Sequence, residues 1–137
     1  MIKKFELDLS SKITILGVEL FRIKALISFG NVKEGELGGY VEKEDNLSHY
    51  GNAWVYGNAW VSGDAEVSKL NDYILFKNTW SSGRYFTYTK SNKMWKVGCF
   101  YGTGEELIKK AYEDSEVSGK HYEAYVNFVK TFEALDD

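Results

Sequence analysis

Residues 50–55 read YGNAWV, residues 56–61 read YGNAWV again, and SGDAEV follows at 62–67. A six-residue period repeated without change is the mark of a stacked repeat. In the phase with an aliphatic residue first and a small residue fifth, the units from 37 to 72 are LGGYVE, KEDNLS, HYGNAW, VYGNAW, VSGDAE and VSKLND. Their fifth positions are Val41, Leu47, Ala53, Ala59, Ala65 and Asn71. A three-sided coil needs an inward aliphatic on each side and a small residue beside each corner, where Gly-Asn and Gly-Asp pairs tolerate a left-handed backbone. The spacing predicts a short left-handed parallel β-helix over 37–72, about two coils long at three hexapeptides per coil, with ends that the flanking segments must cover.

Those flanks read as β-rich. Lys12 to Leu16 and Val18 to Ala25, separated by Gly17, predict an N-terminal hairpin within residues 1–36. Ser28, Gly30, Asn31, Gly35 and Gly38 then supply turn formers up to the repeat. Beyond it, residues 73–137 open with Tyr73 to Asn78, Arg84 to Lys90 and Met94 to Tyr101, which predict a three-stranded antiparallel meander. A helix is expected from Thr103, whose capping box with Glu106 satisfies two amides, with Leu107, Ile108, Ala111 and Tyr112 on one face. A second helix, capped by Ser118, carries Tyr122, Tyr125, Val126, Val129 and Phe132 as an apolar stripe against the meander. The fold class expected is thus α+β, mainly β, in one compact domain.

Composition narrows the function. The chain has 137 residues, 44% hydrophobic and 27% charged, as a folded globule requires. Its net charge of -3 provides no general basic field for nucleic acid. Cys99 is the single cysteine, which rules out an intrachain disulfide and a cysteine-rich zinc site. The start, MIKKFELDLSSK, breaks any apolar run before membrane-span or signal-peptide length, so a soluble protein is expected, and the lone cysteine fits a reducing cytoplasm.

Chemistry is sparse. His49 occupies an inward aliphatic position, where a neutral ring needs a buried partner, and a place at the first coil's frayed end or a satisfied core contact explains it better than catalysis. His121, near Glu116 and Glu123, reads as a solvated helix terminus. GTGEE at 102–106 lacks the spacing and the lysine of a phosphate loop, and its two acids repel a phosphate. The sequence assigns no catalytic residue, cofactor or metal ligand. Side-chain alternation instead points Tyr50, Trp54, Tyr56 and Trp60 outward. Large outward aromatics must be covered by the flanks, by a second copy in a homodimer, or by a foreign partner. With Glu42, Glu44, Asp45 and Glu66 they form the expected partner-binding surface, its acids facing a basic channel.

Two resemblances go with these motifs. The hexapeptide phase of 37–72 resembles the trimeric hexapeptide-repeat acyltransferases, in which a histidine near the coil activates an acyl acceptor; that resemblance implies His49 as base, although two coils leave little wall for a pantetheine arm. From residue 21 to about 68, FRIKALISFGNVKEGELGGYVEKEDNLSHYGNAWVYGNA is similar to the opening of small hexapeptide-repeat proteins encoded by phages and prophages, mostly of unassigned function, and MWKVGCFYGTGEELI at 94–108 also looks like phage material. This second resemblance implies a mobile-element origin, a host-cytoplasm location and no catalytic residues to carry over. The function expected is a non-enzymatic module binding a host or defence-system protein, a CRISPR effector being one candidate. A reduced acyltransferase or small-ligand-binding protein is the alternative.

Overall fold

Strand β1, Phe5–Ile15, runs antiparallel to β2, Val18–Ala25, through the turn at Gly17, where φ is +82°. The computed structural model describes residues 2–15 and 17–135; Leu16, the expected end of the first strand, lies outside them. The expected hairpin is present, and its first strand starts seven residues earlier than Lys12, with an irregularity between Asp8 and Ile13. Strand β2 continues into an antiparallel pairing with β3, Leu37–Val41, in which Phe21 faces Val41. Strand β3 in turn pairs in parallel with the two-residue β4, Trp60–Val61.

The left-handed β-helix expected over 37–72 is not formed. The chain folds instead into two four-stranded sheets, one mixed in the order β1-β2-β3-β4 and one antiparallel, with two helices. Within the repeat, parallel pairing is confined to Tyr40↔Trp60, Val41↔Val61 and an isolated bridge at Leu47↔Val67, and turns occupy much of the rest. The physical reason lies in β2. Its antiparallel pairing takes one edge of β3, while on the other edge parallel pairing reaches only Tyr40 and Val41, so the repeat becomes the margin of a mixed sheet. The small and aliphatic residues of the repeat still turn inward: Ala53, Val55, Ala59, Val61, Ala65 and Val67 are buried, together with Phe5, Ile23, Val41 and Leu47. Asn46, in the short 3-10 turn Glu44–Asn46, holds this core by its side chain. Its Nδ2 donates to the carbonyls of Gly63 and Ala65, and its Oδ1 accepts from the amides of Glu42 and Lys43.

The second sheet comprises β5 (Tyr73–Lys77), β6 (Tyr85–Thr89), β7 (Met94–Val97) and β8 (Phe100–Gly102), all antiparallel. The expected three-stranded meander is therefore corrected to four strands, because Gly98, at φ +55°, turns the chain inside the stretch 94–101. Alternation gives this sheet two faces. Ile74, Phe76, Phe86, Tyr88, Trp95 and Val97 pack on helices α1 (Gly104–Asp114) and α2 (Glu116–Leu135), with Leu107, Ala111, Tyr122, Val126 and Val129. The opposite face carries Thr87, Thr89 and Lys96, all buried, and Tyr73 and Leu75 pack on the first core. Trp60 N–H donates to Thr87 Oγ1 at 3.0 Å and Tyr101 O–H to the Ser62 carbonyl at 3.3 Å, joining the two sheets.

Thr103 forms the predicted capping box with Glu106. The second cap is corrected: α2 starts at Glu116, and Ser115 Oγ accepts from Ser118 N–H, so Ser115 caps the helix. Ser118 lies inside the helix and accepts from Trp80 Nε1. The expected stripe is buried at Tyr122, Val126 and Val129, but Phe132 is exposed near the helix end. No helix among the described residues is long and apolar enough to cross a membrane.

Candidate functional site

After β3 the chain enters the 3-10 turn Glu44–Asn46, and the buried Asn46 described above fixes that turn to the backbone of 63–65. Its neighbours Glu44 and Asp45 are thereby held at the surface. Leu47 and Val67, bridged in parallel and buried, bring Glu66 alongside. The Glu66 backbone amide donates to Ser91 Oγ at 2.8 Å, which leaves its carboxylate at the surface while anchoring its main chain to the second sheet. The result is an open depression of about 470 Å³ lined by Glu44, Asp45, Ser48, His49, Tyr50, Glu66 and Ser68 over Leu47 and Val67. Tyr50 stands 71% exposed at its border.

His49 is tied down on both nitrogens. Nδ1 accepts the Lys4 backbone N–H at 3.0 Å, which places the ring proton on Nε2, and Nε2 donates to Glu44 Oε1 at 2.7 Å. The ring stacks on Phe5 with centroids 4.3 Å apart. This hydrogen bond, with Lys3 adding a smaller attraction at 3.5 Å, holds the Glu44 carboxyl below the usual carboxylate range. A base must have a nitrogen lone pair available to a substrate proton, and His49 spends its only one on Lys4. Lys4 itself is buried, donating from Nζ to the Ala53 carbonyl at 2.6 Å beneath the Phe29 ring, and burial lowers its pKa.

Of the residues expected to meet a partner, Glu44, Asp45, Tyr50 and Glu66 come together in this depression. The others do not. Trp54 is 0% exposed, which overturns its expected outward placement: it packs edge-on against Phe29 and over Gly38, and its Nε1 is buried with no hydrogen-bond partner. Outward alternation at Trp54 failed because the loop around Phe29 and the strand β3 cover that side of the repeat. Glu42 turns inward to accept from the Gly63 amide at 2.8 Å. Tyr56 is 42% exposed, and its backbone amide donates to Tyr73 Oη. Trp60 lines a separate groove with Tyr40, Arg84 and Tyr85.

His121 donates from Nδ1 to the Val117 carbonyl and stacks on Trp80, while Glu116 pairs with Lys120 and Glu123 accepts from Tyr112 O–H. The carboxylates near it are thus engaged elsewhere. At GTGEE, a Cβ on Gly104 would come within 2.8 Å of Val126, so that glycine serves the packing of α1 on α2. Sequence reasoning missed Asn46 and Lys4, which set the depression's shape. Asn46 holds the fourth position of its unit, which Asn52, Asn58 and Asp64 also hold at exposed turns, so the repeat carried no signal that set it apart.

No family model matches the chain, and neither a curated protein nor a solved structure matches it. The depression has the chemistry of a cation acceptor. Carboxylates form short charge-assisted hydrogen bonds to ammonium and guanidinium groups, and an exposed tyrosine ring adds a π face for the same cations.

Proposed function

We propose that the chain is a non-enzymatic protein-binding module of mobile-element origin, which acts in the host cytoplasm by occupying a basic surface of a host or defence-system protein, a CRISPR effector being one candidate. The observation that carries this reading is the gathering of Glu44, Asp45, Glu66 and Tyr50 around one open depression. An acidic, tyrosine-bearing patch of this kind suits the arginine- and lysine-rich channels through which such effectors hold nucleic acid. The acyltransferase alternative draws no support from His49, whose two nitrogens are both engaged.

The test is a charge reversal. Asp45→Lys with Glu66→Lys, at two surface carboxylates, is expected to keep the far-ultraviolet circular dichroism of the parent. It should lose both co-purification with a basic host protein and protection of phage in a plaque assay on a host with active defence. Equal protection by parent and variant would sink the proposal.

A further inference from the structure

A second concavity lies where the two sheets meet and shares no lining residue with the acidic depression. It measures about 270 Å³ and takes Tyr40 from β3, Asn58, Trp60 from β4, Tyr85 from the start of β6 and Arg84 just before it. Tyr40 and Trp60 meet edge to face, with centroids 6.5 Å apart and planes 79° apart, so they form a corner of two nearly perpendicular aromatic walls. Tyr85 is 41% exposed. Cations surround these rings: the Arg22 guanidinium sits 4.9 Å from the Tyr40 centroid, Lys77 Nζ 5.6 Å from that of Tyr85, and Arg84 lines the groove itself. No carboxylate lines it among the described residues.

We propose that this groove binds a purine mononucleotide, with the base against Trp60 and Tyr85, the Asn58 amide on the base edge and the phosphate on Arg84. Each part answers a different piece of that ligand. Aromatic walls stack on a planar base irrespective of its identity. A carboxamide offers the paired donor and acceptor that match N6 and N7 of adenine. The guanidinium fork fits phosphate oxygens, and the neighbouring cations add an attractive field. The volume lies just under the ~300 Å³ at which drug-sized sites begin, which suits one nucleotide rather than a larger cofactor. The inference goes beyond the protein-binding reading and rests on other residues, so either can fail alone.

Isothermal titration of the full chain with AMP, adenosine, ribose 5-phosphate and tyrosine phosphate decides it. AMP is expected to bind with a dissociation constant below about 1 mM, more tightly than the other three. Arg84→Ala should weaken AMP about tenfold while leaving adenosine unchanged, as the loss of one charge-assisted contact predicts. Asn58→Ala, at an exposed position, should weaken both AMP and adenosine. Circular dichroism confirms that each variant folds. The proposal is overturned if AMP gives no binding heat, if ribose 5-phosphate or tyrosine phosphate binds as well as AMP, or if Arg84→Ala leaves AMP affinity intact.

Discussion

Both nitrogens of His49 are committed, one to the Lys4 amide and one to Glu44, and this pins the residue just before β1 to the turn that carries the acidic depression. The pairing has a pH signature. Glu44 titrates below the ordinary carboxylate range when folded, so its contribution to stability is complete above the unfolded pKa and is lost as pH falls through the lowered folded one. In Glu44→Gln that part of the acid-side loss should vanish: thermal melts of the variant should start lower than the parent's at neutral pH and converge with them in acid. Parallel melting curves across the whole range would show that the His49 bond adds nothing. Trp54 marks the limit of residue-level reading. The repeat specifies that Ala53 and Val55 turn inward, yet Trp54 between them is buried as well, because chain distant in sequence closes over it.

The Gly38-Gly39 pair in β3 shows what the elements require of one another. Gly38 reads in the sequence as a turn former, whereas in the structure it lies in a strand, and the positive-φ glycines are others. Space is its reason. A Cβ at Gly38 would sit 2.6 Å from the Val55 carbonyl and 2.8 Å from Trp54 Cε2, and one at Gly39 would sit 2.7 Å from Val55 Cγ1. Gly38→Ala must therefore push the repeat away from β3, at an overpacking cost of about 1–3 kcal/mol, read as a lowered denaturation midpoint in urea. The same substitution at Gly57, where added bulk meets nothing but φ is +57°, incurs only backbone strain. Similar local logic was legible at Thr103, whose capping partner lies three residues on. It was not legible at Ser115, which ends α1 and starts α2 in a single residue and leaves no gap in the helical pattern.

Across the whole molecule, the second sheet is shared by the first core on one face and the two helices on the other. Its aromatic face serves the helices, and its polar face, with Thr87, Thr89 and Lys96 buried, lies against the repeat. Burial lowers the Lys96 pKa, and Cys99 and Glu42, the residue after β3, act against that shift. Thr87 is the hydrogen-bonded link, as the acceptor for the Trp60 amide that also begins β4. Thr87→Val keeps the side-chain volume and removes the acceptor, so it is expected to destabilise the chain by about 1–3 kcal/mol in equilibrium unfolding. Thr87→Ser, which retains the hydroxyl, should recover most of that loss. If valine is tolerated without a change in midpoint, the layers are held by apolar packing alone.

What the sequence determined by itself was local: the six-residue period and its inward small residues, the hairpin at Gly17, the capping box at Thr103, and the apolar stripe of α2. Each depends on neighbours a few positions away, and alternation or helical spacing encodes them directly. Tertiary structure alone decided which edge β3 offers to β2, and with it the mixed sheet in place of a coil, the burial of Trp54, and the separation of Trp60 from Glu44, Asp45, Tyr50 and Glu66. A six-residue repeat states how often side chains turn inward, but not which strand arrives to pair with its margin; that choice is made by contacts between segments far apart in the chain, which leave no periodic trace.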